Sequence, residues 1–327
     1  MELKFNNKNT KVKQLADYIQ RAISLNELMP GDKLSSINTM SRQHKISRDT
    51  VFKAFNELKA RGLVESIHGK NYFVSNQIKN VLLILDEYTP FKDVLYNTLV
   101  SKLPTNYKID LWFHQYNEHL FNNVVQESYG MYNKYLIMNY SNEMLAESLL
   151  KIDPKKLLLL DFGKFDKEGY SYICQDFDQG FYDALNDAKE DFRKYKKIVF
   201  LFDKRHKHPQ SSKTFLVKFC LDNNFEFEII DSFSSKTPVN EGTLYIVIKQ
   251  TDVVEVIKRS KIDKLKVGKD FGLIGYNNNP FYEVIESGIA SISIDWEEMG
   301  SLAADFVTNG ERIACYLPTK IIQRNSY

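Results

Sequence analysis

The sequence predicts an α/β protein in which a winged helix-turn-helix precedes a larger, doubly wound parallel α/β region. Three observations carry this expectation. Residues 1–78 show three stretches of helical apolar spacing followed by a short hairpin. After Asn76-Gln77 the pattern changes to short apolar runs separated by helical stretches, as in strands buried on both faces and joined by crossover helices. Charge divides at the same place: residues 1–78 hold 13 basic and 7 acidic residues, a net of +6, whereas the remainder is net −4.

The chain has 327 residues, of which 43% are hydrophobic and 26% charged. That length exceeds the usual single domain, so two are expected, 1–78 and 79–327. No apolar run approaches the roughly 18 residues that cross a bilayer, and MELKFNNKNTKVKQ is polar rather than a signal-peptide core. A cytoplasmic protein is expected. Cys174, Cys220 and Cys315 lack CxxC spacing and fit reduced, buried thiols better than a disulfide framework.

In the first module Val12, Leu15, Ile19, Ala22 and Ile23 line one helix, capped by Thr10. Pro30-Gly31-Asp32 breaks the chain, Ser36 opens a second helix through His44, and Ser47 caps a third lined by Val51, Ala54, Phe55 and Leu58. Arg61-Gly62 ends it. Leu63 to Ile67 and Asn71 to Val74 then form a hairpin whose tip is His68-Gly69-Lys70.

Arg48, Thr50 and Lys53 near the start of the third helix, with His68 and Lys70 on the wing, suit a polyanion such as duplex DNA, because a helix N-terminus and nearby cations both favour phosphate. Gly69 would let the backbone approach the duplex closely. The alternative for such a module is protein–protein interaction.

The segments LMPGDKLSS, ISRDTVFKAFNELKARGLVES and IHGKNYFV resemble the consecutive motifs of GntR-type regulators. The resemblance implies phosphate contacts at Ser36 and Asn38, major-groove reading at Arg48 and Thr50, and minor-groove entry by His68-Gly69-Lys70. Asn38 stands where the family usually has Arg, and Phe52 replaces a frequent second Arg, a role Lys53 would share. The bases recognised therefore do not carry over.

In the second module strands are expected at Val81 to Leu85, Lys134 to Met138, Leu157 to Leu160, Ile198 to Phe202, Phe225 to Ile230, Leu244 to Ile248 and Phe271 to Ile274. Helices are expected at Lys92 to Leu103, Gln179 to Phe192, Lys213 to Asn223, Val253 to Lys258 and Glu297 to Thr308. Ligands in such sheets bind beyond the carboxyl ends of the strands, so a cleft is the expected site. The segment VGKDFGLIGYNNNPFYEVIESGIASISIDWEEMGSLAADFV, with the closing LPTKIIQRNS, resembles LacI/GalR-type effector domains. That likeness implies a two-lobed, periplasmic-binding-protein-like fold and a sugar-sized effector.

The same resemblance places Phe91 against a sugar ring, Asp161 and Asn277 against hydroxyls, and Lys213 (or Ser212) near a frequent Arg. Aromatic faces, carboxylates and amides are the chemistry a buried sugar needs. The competing readings are a core Phe91, a helix-capping Asp161 and a turn-forming Asn277. Asp176 and Asp178 are expected to cap a helix rather than hold a metal, and His206 and His208 to sit in an exposed loop.

GxGxxG, GxxxxGK[ST], GxSxG and HExxH are all missing from the sequence. No catalytic residue, metal or cofactor is expected, although an α/β enzyme and a domain that only dimerises remain the competing readings. The expected partners are double-stranded operator DNA with two-fold symmetry, a monosaccharide or derivative that releases the repressor from carbohydrate-utilisation genes, and a second copy of the chain.

Overall fold

The computed structural model describes residues 5, 9–24, 27–67, 71–76, 78–141, 144–161, 167–203, 208–234 and 236–327. The expected wing tip, His68-Gly69-Lys70, lies outside the described residues, as does Lys204 to Lys207.

The first module contains α1 (Lys11–Ser24), α2 (Ile37–His44), α3 (Arg48–Ala60), β1 (Val64–Ile67) and β2 (Asn71–Val74). The expected caps form: Thr10 Oγ1 accepts from Lys13 N at 3.3 Å, Ser36 Oγ from Thr39 N at 3.2 Å and Ser47 Oγ from Thr50 N at 3.0 Å. Leu15, Ile19 and Ile23 of α1 meet Val51, Phe55 and Leu58 of α3, and the Phe55 ring packs on Tyr72 of β2 at 4.6 Å between centroids. The hairpin is antiparallel, Val64 opposite Val74 and Ile67 opposite Asn71.

Gly62 ends α3 with φ +65°, and Lys79 Nζ passes so close that a Cβ would stand 1.8 Å from it. That ammonium donates to the Arg61 carbonyl at 2.5 Å, tying the first module to the start of the next. Burial lowers the Lys79 pKa.

Two sheets of six strands follow. The first runs β13-β7-β6-β5-β3-β4 and is parallel throughout. It is built from β3 (Lys79–Leu85), α4 (Pro90–Lys102), β4 (Tyr107–Phe113), α5 (Glu118–Glu127), β5 (Lys134–Ile137), β6 (Leu157–Leu160) and β7 (Ser171–Gln175), and is completed near the C-terminus by α10 (Trp296–Asn309) and β13 (Ala314–Leu317).

The second sheet runs β14-β12-β11-β10-β8-β9, parallel except for the β12–β14 pair. It contains α6 (Gln179–Asp187), α7 (Lys189–Phe192), β8 (Lys197–Leu201), α8 (Ser211–Asp222), β9 (Glu226–Ile230), β10 (Thr243–Val247), α9 (Gln250–Ile262), β11 (Gly272–Tyr276), β12 (Ala290–Ser293) and β14 (Lys320–Ile322). The chain thus crosses between lobes three times, after β7, after β12 and after β13. This is the expected two-lobed, doubly wound arrangement.

Each sheet is buried on both faces. Leu83, Leu136 and Leu158 pack under α4 and α10, while Leu82, Ile137 and Leu159 pack on the other side with Phe121 of α5. Gly300 allows α10 to lie against α4, since a Cβ there would be 2.6 Å from the Leu95 carbonyl oxygen.

Several elements depart from expectation for physical reasons. The expected helix from Gln179 to Phe192 is two, divided at Ala188, whose φ of −98° and ψ of 5° are not helical. Strand β4 was not expected because YKIDLWF alternates with charge, which suits its place at a sheet edge. Strand β12, ASIS, is short and half serine, yet is wholly buried beside β11.

Candidate functional site

The module-one surface takes its shape from the caps. Arg48 begins α3 and is exposed, as are Asn38 and Ser36 at the start of α2. Thr50 is half-buried, its hydroxyl 2.7 Å from Ser47 Oγ. Lys53 is exposed and pairs with Asp49 at 2.8 Å one turn back, a contact weak enough to be exchanged for a phosphate. Phe52, also on this face, is 46% exposed. Ser36, Asn38, Arg48, Thr50 and Lys53 are therefore brought onto the N-terminal ends of α2 and α3.

Between the lobes lies a cavity of about 420 Å³. Its lining comes from the carboxyl ends of strands in both sheets: Asp86 and Glu87 follow β3, Tyr116 follows β4, Asp161 follows β6, Phe177 follows β7, Ile248 to Thr251 follow β10 and Asn277 follows β11. Thr89, Phe91 and Lys92, around the first turn of α4, complete one wall, and His208 with Pro209 the opposite one. The cavity occupies the position that doubly wound sheets give to ligands.

Asp161 and Asn277 hold equivalent places in the two lobes. Each is the first residue past its strand with positive φ, 49° and 61°, and each donates its backbone N–H to a neighbouring strand, Asp161 to Ile173 O at 3.0 Å and Asn277 to Ile292 O at 2.7 Å. Non-glycine residues in this region cost free energy, which concentrates at functional turns. Asp161 Oδ1 and Asn277 Oδ1 are both enclosed without a hydrogen-bond partner among the described residues, as are Thr89 Oγ1 and Gln250 Nε2. Buried polar atoms in that state are costly, so the cavity offers a ring of hydrogen-bonding groups to whatever fills it.

The charges in the lining are partly matched. Lys92 is buried and forms an ion pair with Asp86, which also accepts from Tyr116 Oη at 2.7 Å and from Glu87 N at 2.6 Å. Burial alone would push Asp86 up; Lys92 and these hydrogen bonds outweigh it and hold the carboxyl below its usual range. Asp161 is less well supported: burial, reinforced by Asp86, pushes its carboxyl up to about 7 against the opposing effects of Lys92 and the Gln175 backbone N–H. Glu87 is also raised, mainly by burial.

Phe91 is 7% exposed and packs on Trp296 at 4.8 Å between centroids, so it belongs to the core while one part lines the cavity. Lys213 sits on α8 outside the lining, which corrects its expected place in the pocket. Its neighbour Ser212 is fully buried, its Oγ 2.9 Å from His208 Nε2 and donating to Phe177 O at 3.3 Å. His208 is buried, not in an exposed loop, with its ring against Tyr276 at 4.6 Å. Asp178 stands at the N-cap position of α6 without a side-chain cap bond; instead Asp176 Oδ1 accepts from Asp178 N at 2.9 Å. No group of three metal-ligating side chains occurs among the described residues.

Sequence reasoning missed Asp86, Lys92, Tyr116, Lys249 and Gln250. The signal was present in LDEYTPFKD and VIKQTD, where charge follows directly on a buried strand.

Residues 11–74 match the model of the bacterial regulatory proteins of the gntR family. The N-terminal module is a gntR-type helix-turn-helix. Over 76 residues, 23% of the chain, it is 33% identical to the uncharacterized HTH-type transcriptional regulator YhcF of Bacillus subtilis (strain 168), of which the match covers 63%. The chain thus spans less than two thirds of that relative's length.

Beyond the gntR-type head, the likeness is one of fold. The trehalose repressor of Escherichia coli superposes with a TM-score of 0.62 at 13% identity, covering 75% of this chain and all of that one. A LacI-family regulator from Lactobacillus casei with bound glucose gives 0.60 at 13%, covering 76% and 100%. One from Enterococcus faecalis V583 with bound ribose gives 0.60 at 17%, covering 76% and 98%. The two-lobed region therefore has the fold of LacI-type effector domains. No helix among the described residues is long and apolar enough to cross a membrane.

Proposed function

We propose that this chain is a non-catalytic, DNA-binding transcription regulator whose interlobe cleft takes a small polyhydroxyl effector. The observation that carries the reading is the cavity itself: strand ends of both lobes converge on it, and they bring unpartnered polar atoms and aromatic faces together behind a gntR-type head. In this reading residues 1–78 form the DNA-binding domain and residues 79–327 the effector and dimerisation domain. Ser36 and Asn38 bind phosphates, Arg48 and Thr50 reach base edges, Lys53 exchanges Asp49 for the duplex, and His68-Gly69-Lys70 enter the minor groove.

A homodimer in the cytoplasm would present two α3 helices to successive major grooves of a two-fold operator. Phe91, Asp161 and Asn277 hold the effector, with Thr89 and Gln250 added to the expected set. Closure of the lobes changes the spacing of the heads, so a sugar releases the repressor from carbohydrate-utilisation genes. The bound glucose and ribose of the similar folds support a carbohydrate of that size.

Thermal unfolding of the protein against monosaccharides, polyols and nucleosides tests the effector half. A ligand at 100 times its Kd stabilises by about 2.7 kcal/mol, so one compound should raise the midpoint clearly. A flat response to all of them would leave the cleft without an effector of this class.

A further inference from the structure

The cleft's charges point to a narrower ligand. Its two lysines are already matched, Lys92 to Asp86 and Lys249 Nζ to Asp203 at 2.5 Å. Two lining carboxyls, Glu87 and Asp161, make no ion pair among the described residues, and Asp161 Oδ1 is enclosed with no hydrogen-bond partner. Both line the cavity and both act on the Tyr116 hydroxyl. The Tyr116 hydroxyl, which donates to Asp86, is kept protonated by burial and by the charges of Asp86, Glu87 and Asp161 acting on it together.

A phosphate or carboxylate entering this space would meet no free cation among the described residues. From the described residues it would have to draw Lys92 from Asp86 or Lys249 from Asp203, leaving a buried carboxylate uncompensated, which is expensive. A neutral sugar could hydrogen-bond to the lining but would close the cleft over two unmatched carboxyls. An ammonium group supplies three donors and the missing charge.

Resting on the effector reading given above, we propose that the ligand of this cleft carries a protonated amine on a polyhydroxyl frame, the amine paired with Asp161 and favoured by the charge of Glu87 in the same lining. Its hydroxyls pair with Thr89, Gln250 and Asn277, and a ring face lies against Phe91. Burial pushes the Asp161 carboxyl up to about 7, so pairing with the cation releases a proton there and binding tightens as pH rises from 6 to 7.5.

The test is calorimetric titration of the full-length protein at pH 7.5 with matched pairs: glucosamine and glucose, galactosamine and galactose, mannosamine and mannose, together with glucose 6-phosphate. In the pair whose stereochemistry fits, the amine should bind about tenfold tighter than its hydroxyl counterpart, the difference between a charge-assisted and a neutral hydrogen bond. Asp161→Asn should bring that ratio to about one, and Glu87→Gln should reduce it, with each variant's fold checked by its unfolding midpoint.

Neutral sugar binding as tightly as its amine, the phosphate binding tightest, or no amine binding would each overturn the proposal. In the last case, binding of neutral sugars would leave the carbohydrate reading standing, whereas silence from the whole set would overturn both.

Discussion

The Gln175 side-chain amide donates to the Tyr276 hydroxyl at 2.9 Å, joining the end of β7 in one lobe to the end of β11 in the other. Both residues are buried, and Phe177 stacks on the Tyr276 ring, at 6.4 Å between centroids. The lobes thus share a polar contact close to the cavity, of the kind that closure would tighten or exchange. Tyr276→Phe leaves the Gln175 amide unpaired in a dry place. It should destabilise the two-lobed region by about 1–3 kcal/mol, read from a denaturant midpoint with unchanged slope.

Asp161 gives stability a pH dependence whose sign is opposite to that of a salt-bridged carboxylate. Its folded pKa is raised from 3.8 to about 7. Folding therefore disfavours the ionised form, and the penalty is absent below the unfolded value, grows as pH rises and is complete above the folded one. Asp161→Asn should raise the unfolding temperature of the ligand-free protein at pH 8 and change it little at pH 4. Equal midpoint differences at both values would show that Asp161 is not held in a desolvated site.

Arg48→Ala removes an exposed cation at the start of α3 without touching the core. Operator affinity should fall by about 1–3 kcal/mol, as for loss of a base contact, while effector binding and thermal stability stay at the parent's values. Fluorescence anisotropy with a labelled duplex measures the first, and unchanged affinity would move DNA reading away from this position.

Gly300→Ala places a methyl 2.6 Å from the Leu95 carbonyl and 2.9 Å from Thr98 Cβ, forcing α10 away from α4. Overpacking of this kind costs roughly 1–3 kcal/mol. The urea midpoint should drop accordingly, and an unchanged midpoint would mean that the two helices pack less closely than this.

Cys174 and Cys220 are fully buried, and burial pushes the Cys220 thiol up to about 12. A thiol reagent at pH 8 should leave both intact in the folded protein and modify all three cysteines after unfolding. Rapid modification of Cys220 in the native state would contradict its place on the buried face of α8.

How much was legible in the sequence follows from how local each signal is. The caps at Thr10, Ser36 and Ser47 and the apolar faces of α1 and α3 are decided within a few residues, so the head could be read directly. The buried strands at Leu82, Leu136 and Leu158 announced themselves by unbroken apolar runs. Strand β12 did not, because its two buried serines interrupt the apolar run yet are satisfied in place: Ser291 Oγ donates to Asn278 Oδ1 at 3.0 Å, and Ser293 Oγ to the Ile294 carbonyl at 2.8 Å.

In the cleft, Phe91, Asp161 and Asn277 were legible as residues just past buried strands or on the helix that follows. Tyr116 and Lys249 were not, since each depends on a carboxylate brought to it by another strand end, Asp86 and Asp203. Lys213 was misplaced because the segment before α8 turns His208 and Ser212 inward, shifting the register by which a cation would have faced the cavity.

The central claim is that occupancy of the cleft controls the head. It is tested most directly by enriching duplexes from a random pool with the full-length protein and measuring the affinity of the selected site with and without the compound that stabilises the protein most. The account predicts a two-fold symmetric site whose affinity falls when that compound is present, with the fall abolished by Asp161→Asn. Enrichment of no sequence, or an affinity that does not change while the cleft is occupied, would contradict it.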